Sequence, residues 1–289
     1  VDNLRDLQDQ MLLVFIGAAF AVLITTIIFS QVITKPIAVL SAGIKRMAGG
    51  DLSGRVKIKG NDEIARLGES FNRMSERLER LDTSRNEFVS NASHELKTPL
   101  ATMKIMLESM IYDQHMDPAL RSEFMGDINK ELDRLSGIVT DLLTLVQVDS
   151  QNYQITRQQI LLRDLTQSVL HRLEPLALEK EQQVVFQPEG AAPIFADPTK
   201  VEQIVYNLVD NAIKFAADGG VISISVTTQK NFVNIAVRNT GSSIPADALL
   251  HVFDRFYKAD KSRGVNARGA GLGLHISKVL VGLMGGRIW

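Results

Sequence analysis

Residues 88–100 read FVSNASHELKTPL and place a histidine beside a carboxylate, His94 and Glu95, in a stretch with a helical repeat. Apolar residues recur here at alternating spacings of three and four, which predicts the buried side of a helix in a bundle. They are Val89, Ala92, Leu96, Pro99, Met103, Met106 and Met110. His94 falls outside this series, so we expect it on the exposed face together with Thr98, one turn later.

This exposed histidine has the chemistry of a phosphoryl acceptor. A neutral imidazole nitrogen is a nucleophile near pH 7, and an adjacent carboxylate such as Glu95 can take its proton. A histidine on a helix surface is more often merely solvated, and for His94 taken alone that alternative is the stronger. Pro99 cannot donate to the carbonyl of Glu95, so we expect the helix to bend or loosen one turn after His94.

Along its whole length the stretch resembles the H-box of sensor histidine kinases of two-component systems. The resemblance implies that His94 is phosphorylated, that Glu95 is its general base, and that Thr98 helps to position water for the reverse, phosphatase reaction. It also implies a homodimer, and a response regulator that accepts the phosphoryl group on an aspartate.

Composition excludes several kinds of chemistry. The 289 residues include no cysteine, so disulfides, thiolate nucleophiles and cysteine metal sites are excluded. The net charge of -1 gives no indication of a nucleic-acid partner, and we expect none. Because the sequence runs from Val1 to Trp289 without an initiator methionine, we interpret it as a fragment that lacks the sensor region.

Residues 11–30 form an uncharged run of twenty, MLLVFIGAAFAVLITTIIFS, which is enough for a helix across the ~30 Å hydrocarbon core. We predict a transmembrane helix in membrane lipid at 11–33, after an extracytoplasmic remnant at 1–10. Acidic residues precede the span and basic residues follow it, so we expect the chain after about residue 34 to be cytoplasmic. The alternatives are a secretory signal, whose apolar core of ~7–15 residues should follow a basic start, and a buried core helix.

Two short amphipathic helices joined by an extended connector are predicted at 34–84, the first beginning at Pro36. Neither can bury its apolar stripe alone, which favours a dimeric, parallel coiled coil. The pattern resembles a HAMP domain, through Pro36, the connector Gly50-Asp51-Leu52 and the pair Asp62-Glu63. An ordinary helical hairpin is the alternative.

An antiparallel helical hairpin is predicted at 85–150. The first helix should end near Asp113, and Asp117-Pro118 should mark a turn and the start of a return helix. The return helix has its own apolar series, which is Met125, Ile128, Leu132, Leu135, Val139, Leu142 and Val146. Two such hairpins predict a homodimeric four-helix bundle for dimerisation and histidine phosphotransfer.

Residues 151–289 alternate between strand and helix patterns, which predicts an α/β sandwich. We expect strands near 154–161, 182–187, 193–196, 220–227 and 231–238, and helices near 163–180, 198–216 and 271–284. In the helix 198–216, Asn207 and Asn211 lie one turn apart and Lys214 continues their polar face. An ordinary amphipathic helix would give the same pattern.

Three later segments argue against this alternative: NTGSSIP at 239–245, FDRFYKAD at 253–260 and RGAGLGLHI at 268–276. The glycines of the last segment run into a helix, whose free backbone amides suit phosphate oxygens. With the asparagine helix, the segments resemble in order the N-box, first glycine box, F-box and second glycine box of the histidine-kinase ATP-binding domain. That domain has the Bergerat-type fold shared with gyrase and the Hsp90 chaperones.

The resemblance implies ATP and Mg²⁺ as cofactors. Asn211 would coordinate Mg²⁺, Asn207 and Lys214 would hold phosphate or ribose, and Phe215 would pack by the adenine. Residues 240–270 would form a lid over the nucleotide. The other expected nucleotide-binding residues are Asn239, Gly241, Arg255, Tyr257, Lys258, Gly269, Gly271, Leu272, Gly273 and Leu274.

Three features depart from the family pattern. Asn239 replaces the usual aspartate and Ser243 a usual glycine; an uncharged amide should bind the adenine amino group more weakly. We also expect the last strand of the domain to be incomplete at Trp289. These departures leave open a signalling scaffold that has lost turnover. The other alternative is an ATPase of the same fold that drives conformational work, against which the H-box speaks.

Overall fold

The computed structural model describes residues 2–113, 115–149, 153–190, 192–229, 232–241, 243–258 and 270–289. The chain divides into two compact units, Val1–Val89 and Ser90–Trp289. Each unit is described separately below. Helix α3, Glu63–Tyr112, belongs to both.

The first unit begins with the apolar span, which is helical as predicted. Helix α1 covers Asp2–Phe29, a π-helical segment follows at Ser30–Thr34, and helix α2 covers Lys35–Ala48. The helical stretch Met11–Ala48 has a mean hydropathy of 2.8 in its most apolar window and is long enough to cross a membrane. Helix α2 begins one residue before the predicted start at Pro36, but helical structure runs into it from α1 without a break.

The π-helical segment lies directly before Pro36, and its closing bond runs from the Lys35 N–H to the Ser30 carbonyl. Proline cannot donate to the carbonyl four residues earlier, and its ring crowds that carbonyl. A π turn widens the backbone and is one of the usual ways in which a helix absorbs such a defect. At Pro36 the chain therefore changes from a π turn to an α-helix and does not start a separate helix after a loop.

The connector between α2 and α3 packs along α3. Leu40, Val56 and Phe71 form a small buried core. Asn72 holds the connector backbone at Val56 twice, accepting from its N–H at 2.9 Å and donating to its carbonyl at 2.9 Å. A Cβ on Gly43 would lie 2.6 Å from the Val56 side chain, so a glycine is needed for this close approach.

In the second unit, α3 continues to Tyr112 and helix α4 covers Pro118–Asp149. The predicted hairpin is confirmed, including the turn at Asp117, whose carboxylate accepts from the N–H of Ala119 at 2.9 Å. Helix α3 runs through Pro99 with its α-helical assignment unbroken, and the Pro99 side chain is fully buried. Of the predicted seam, Ala92 and Met103 are also buried.

The remainder of the unit is an α/β arrangement close to the predicted one. The strands are β1 Gln158–Leu161, β2 Gln183–Pro188, β3 Pro193–Ala196, β4 Val221–Gln229 and β5 Phe232–Asn239. The helices are α5 Leu162–Leu178, α6 Pro198–Phe215 and α7 Gly273–Leu283. Strands β1 and β3 pair antiparallel, while β4 lies between parallel β2 and antiparallel β5.

The start of helix α6 is fixed by the residues next to it in the sequence. Asp197 precedes it and accepts from the N–H groups of Thr199 and Lys200, while Pro198 occupies the first turn. One face of the helix is buried against α5 and the three-stranded sheet. Its buried residues are Val201, Ile204, Val205, Val209, Ala212 and Ile213. The opposite face therefore presents the asparagines and Lys214 away from this core.

We predict that Asn72→Ala releases the connector of the first unit. The change removes both hydrogen bonds to Val56, which should raise the opened population, and with it tryptic cleavage at Arg55, Lys57 and Lys59, about tenfold. Cleavage would be followed by mass spectrometry. The matched control is Ser70→Ala, which removes an exposed hydroxyl bonded within its own helix; equal cleavage of the two variants would contradict the prediction.

Candidate functional site

The histidine face of α3 is placed as predicted. His94 and Thr98 are exposed on the helix, and Glu95 is half-buried. The Thr98 hydroxyl donates to the carbonyl of His94 at 3.2 Å. The imidazole is therefore open to solvent on the surface that a phosphoryl donor or a partner protein would approach.

Glu95 is bound by a lysine from the nucleotide domain. The Lys258 ammonium donates to Glu95 Oε1 at 2.7 Å, and the two side chains are only 29% and 17% exposed. The sequence associated Lys258 with the nucleotide, whereas in this arrangement it is paired with the carboxylate beside His94. Charge-assisted bonds between partly desolvated groups are stronger than exposed ion pairs.

The polar face of α6 carries the predicted asparagine pair. Asn207 donates through its amide nitrogen to the carbonyl of Gly273 at 3.1 Å, which joins α6 to the start of α7. Asn211 is half-buried, and within the described part of the chain its amide makes no hydrogen bond. Lys214 forms an ion pair with Asp210, one turn earlier. Sequence reasoning passed over Asp210, although the spacing of four residues indicates the pair.

The expected adenine-binding residues meet at the C-terminal end of α6. Phe215 ends the helix and is exposed, and the backbone of Ala216 bridges that of Gly241. Asn239 is the last residue of β5, opposite Ile222 of β4, and is exposed. Gly241 has φ +136°, and a Cβ there would lie 2.8 Å from the Phe215 carbonyl, so this approach requires glycine.

The second glycine box packs against the segment 253–258, which we call the lid stem. Gly271 has φ +72°, and a Cβ there would lie 2.7 Å from the Tyr257 carbonyl. Gly273 is both part of the glycine box and the first residue of α7, so the free N-terminal amides of this helix lie at the glycine box. Leu272 is fully buried and Leu274 half-buried. Gly269 lies outside the described residues, as do residues 259–268 of the predicted lid.

Two further residues of the lid stem were expected near the nucleotide. Arg255 donates through Nε to Nε2 of His275 on α7 at 3.0 Å. The Tyr257 ring lies 5.6 Å from that of His251. His275 was not among the predicted site residues, and the only signal for it in the sequence is its position directly after the glycine box.

A half-buried acid on α4, Asp141, also lies close to the polar end of α6. Burial raises the pKa of Asp141 to about 6 from the usual 3.8, with Lys214 lowering it and Asp210 raising it. Nothing in the sequence distinguished this aspartate from the solvated ones of the same helix. Its burial and its proximity to Lys214 and Asp210 become visible only in the folded structure.

Comparison with known families identifies each part of this arrangement. The HAMP domain model matches residues 28–80, and the His Kinase A (phospho-acceptor) domain model matches residues 84–151. The model of the histidine kinase-, DNA gyrase B- and HSP90-like ATPase matches residues 196–289. The matched order is that of the three units proposed from the sequence.

Two curated relatives align with most of the chain. The sensor histidine kinase WalK of Bacillus subtilis (strain 168) is 36% identical over 216 residues, which are 73% of this chain and 35% of WalK. The heme sensor protein HssS of Staphylococcus aureus (strain Newman) is 31% identical over 278 residues, 96% of this chain and 58% of HssS. The chain therefore spans between about a third and somewhat over half of the relatives it matches.

Solved structures support the fold. The Acinetobacter baumannii histidine kinase AdeS has a TM-score of 0.52 at 22% identity, covering 65% of this chain and 85% of AdeS. Histidine kinase ThkA, solved in complex with the response regulator protein TrrA, has a TM-score of 0.59 at 24% identity, covering 81% of this chain and 64% of the ThkA chain. At these identities the likeness concerns the fold alone.

The apolar helix, the linker unit, the histidine hairpin and the ATPase-type α/β domain define a membrane-bound signalling protein with a phospho-acceptor helix. The chain belongs to the sensor histidine kinases of two-component systems. The predicted fold class is thereby confirmed as an apolar helix followed by HAMP, helical phospho-acceptor and α/β ATPase-type regions.

We predict that a zero-length carbodiimide reagent joins Lys258 to Glu95. The reagent couples an amine to a carboxylate only when the two are in contact, and the pair lies at 2.7 Å. The joined peptides would be identified by mass spectrometry. Lys258→Arg keeps the charge but has no amine, so it should lose this product; the absence of the product in the unaltered chain would contradict the contact.

We predict that Asp141→Asn stabilises the folded chain above pH 6 and has no effect below pH 4. The pKa of about 6 in the folded chain exceeds the usual 3.8, so folding binds a proton and ionised Asp141 opposes folding as the pH rises. The gain should grow between these values to at most roughly 3 kcal/mol. Denaturant unfolding of the detergent-solubilised chain at pH 4, 6 and 8 measures it.

Asp133→Asn is the matched control for this measurement. Asp133 is exposed on the same helix, so its neutralisation should leave the pH dependence of unfolding unchanged. A gain for Asp141→Asn that is the same at all three pH values would show that burial does not raise the pKa of Asp141.

Proposed function

We propose that the chain is an ATP-dependent protein-histidine kinase that phosphorylates itself on His94. The observation that carries this proposal is the placing of an exposed imidazole beside Glu95, which is in turn in contact with the lid stem of the ATPase-type domain through Lys258. A kinase of this kind must bring a bound γ-phosphoryl group to the imidazole. Glu95 would take the imidazole proton, and Thr98 would help to position water for the reverse, phosphatase reaction.

ATP is the proposed phosphoryl donor, and the residues present fit it. Two glycines have positive φ and no room for a Cβ: Gly241 at the C-terminal end of α6, and Gly271 against the lid stem. The N-terminus of α7 offers backbone amides to phosphate oxygens. Phe215 and Asn239 are exposed where the base would lie, and the amide oxygen of Asn239 can accept from an adenine amino group.

Mg²⁺ is proposed to accompany the nucleotide, held by Asn211 and by the substrate. Within the described residues, no group of three or more acidic, histidine or cysteine side chains could hold a metal ion. Mg²⁺ commonly takes one or two protein oxygens and completes its shell with phosphates and water, and the half-buried amide of Asn211 meets that need. When bound, the ion supplies charge neutralisation on the transferring phosphoryl group.

Before phosphoryl transfer, two lysines of the proposed site would have to leave the carboxylates that they pair with in this structure. Lys214 is held by Asp210, and Lys258 by Glu95. Phosphate oxygens would compete for both lysines, and release of Lys258 would free the Glu95 carboxylate to act as a base. Arg255, Tyr257, Lys258 and the glycines Gly269, Gly271 and Gly273 are proposed to surround the phosphates, and Asn207 to hold the glycine box against α6.

A homodimer and a response regulator are the proposed protein partners. Helix α4 leaves an apolar series exposed at every seventh residue, a spacing typical of a helix seam. It consists of Met125, Leu132, Val139 and Val146. A second copy would bury this series in a four-helix bundle, within the proposed phosphotransfer domain 85–150. The residues after about 34 are proposed to be cytoplasmic, where the regulator would receive the phosphoryl group on an aspartate.

The test is transfer of label from the γ-phosphate of ATP to the detergent-solubilised chain with Mg²⁺. We expect a label that is lost in acid and kept in alkali, as for a phosphoramidate. His94→Ala should abolish it, and Glu95→Gln should slow it by about 10²–10⁴-fold. His115→Ala is the matched control, because His115 is an exposed histidine in the loop between the same two helices.

Three results would contradict the proposal. Label retained by His94→Ala would move the acceptor elsewhere. ATP hydrolysis without any labelled protein would favour an ATPase that uses its domain for conformational work. ATP binding with neither hydrolysis nor label would favour a signalling scaffold.

A further inference from the structure

A neutral histidine holds the arginine of the lid stem. His275 Nε2 lies 3.0 Å from Arg255 Nε, and His275 Nδ1 lies 2.8 Å from the Phe253 carbonyl oxygen. All three residues are half-buried. One imidazole therefore joins the first turn of α7 to two points of the lid stem.

This pair of bonds determines the tautomer of His275. A guanidinium nitrogen can only donate, so Nε2 must carry a lone pair. Nδ1 therefore carries the hydrogen and donates to the Phe253 carbonyl, which can only accept. An imidazolium could not accept from Arg255 and would place a second positive charge beside it, so the arrangement requires a neutral ring.

The lid stem also contacts α7 and the glycine box at other points, and these contacts hold its backbone in place. Lys278 lies over the Phe253 ring at 5.4 Å, and Gly271 packs tightly against the backbone of Phe256 and Tyr257. With the backbone supported in this way, the position of the guanidinium depends on the contacts of its long side chain. The bond to His275 uses Nε, which is the nitrogen nearest the backbone.

We propose that His275 is a positioning residue for the nucleotide: as the neutral Nδ1–H tautomer it fixes Nε of Arg255 and so orients the guanidinium toward the phosphates before ATP binds. The assignment rests on the proposed function, in which Arg255 is a phosphate contact. Orienting an arginine in advance removes the entropy cost of ordering a flexible side chain on binding. His275 does not itself touch the nucleotide.

Two amide substitutions separate the two bonds of the ring. In His275→Gln the side-chain amide reaches the place of Nε2 and can accept from Arg255. In His275→Asn it reaches only the place of Nδ1 and can donate to Phe253, so the arginine bond alone is lost. Both would be made in His94→Ala, so that ATP binding is measured by calorimetry with Mg²⁺ and without phosphoryl transfer.

We expect His275→Gln to bind ATP within about threefold of its parent, and His275→Asn to bind it about tenfold more weakly, as for the loss of a hydrogen bond to a charged group. Adenosine has no phosphate and should bind all three proteins equally. Arg255→Ala should also weaken ATP binding, and adding His275→Asn to Arg255→Ala should cause no further loss. Imidazole ¹⁵N shifts of the unaltered chain should report hydrogen on Nδ1 alone.

The outcomes are distinct. Equal ATP binding by His275→Asn and its parent would overturn the assignment while leaving the kinase proposal intact. Equal weakening for ATP and adenosine would show that His275 only supports the fold, and an additive loss with Arg255→Ala would show that it acts through another group. Failure of the His94→Ala parent to bind ATP would overturn the nucleotide-binding function, and this assignment with it. Lys278→Gln, which alters the same helix but not Arg255, controls for loosening of the lid stem.

Discussion

The nucleotide side of this molecule depends on how helix α6 is fixed. Its apolar face is buried against α5 and the sheet. Asp197 caps the start of the helix, and its carboxylate also accepts a hydrogen bond from the N–H of Thr156. With the helix axis and rotation determined in this way, the polar face can point in only one direction. Asn207 then carries the constraint to α7 through the Gly273 carbonyl, so the glycine box is positioned by the same core.

The charges around the site are held by partners from the protein itself. Lys214 is paired with Asp210, Lys258 with Glu95, and Nε of Arg255 with the neutral ring of His275. These pairs differ in what a polyanionic ligand would do to them. A phosphate can replace the carboxylate partner of either lysine, whereas the arginine can keep its imidazole partner when a phosphate binds. A cation held by a neutral acceptor is therefore ready for an anion in a way that a cation held by a carboxylate is not.

Patterns of apolar spacing predicted most of the fold, because burial alone decides them. The five strands, α6 and both hairpin helices lie within a few residues of their predicted positions, since each has apolar residues that the sequence marks with one period. Pro36 marked the start of α2 to within one residue but not the π turn before it, because local proline chemistry allows either a free helix start or a π turn in a continuing helix. Only the apolar run before it, which remains helical, favours the second.

The arrangement of the candidate site residues was predictable where one short segment contains the whole signal and not where two distant segments meet. Asn207, Asn211 and Lys214 share a helix face, and the glycines precede a helix, so both sets could be read directly. The contacts Glu95–Lys258 and Arg255–His275 join residues far apart in the chain, and no local period records them. The same holds for Asp141, whose pKa is raised by burial in the folded chain. Pairings of this kind depend on which surfaces meet, and that is determined by the packing of whole elements.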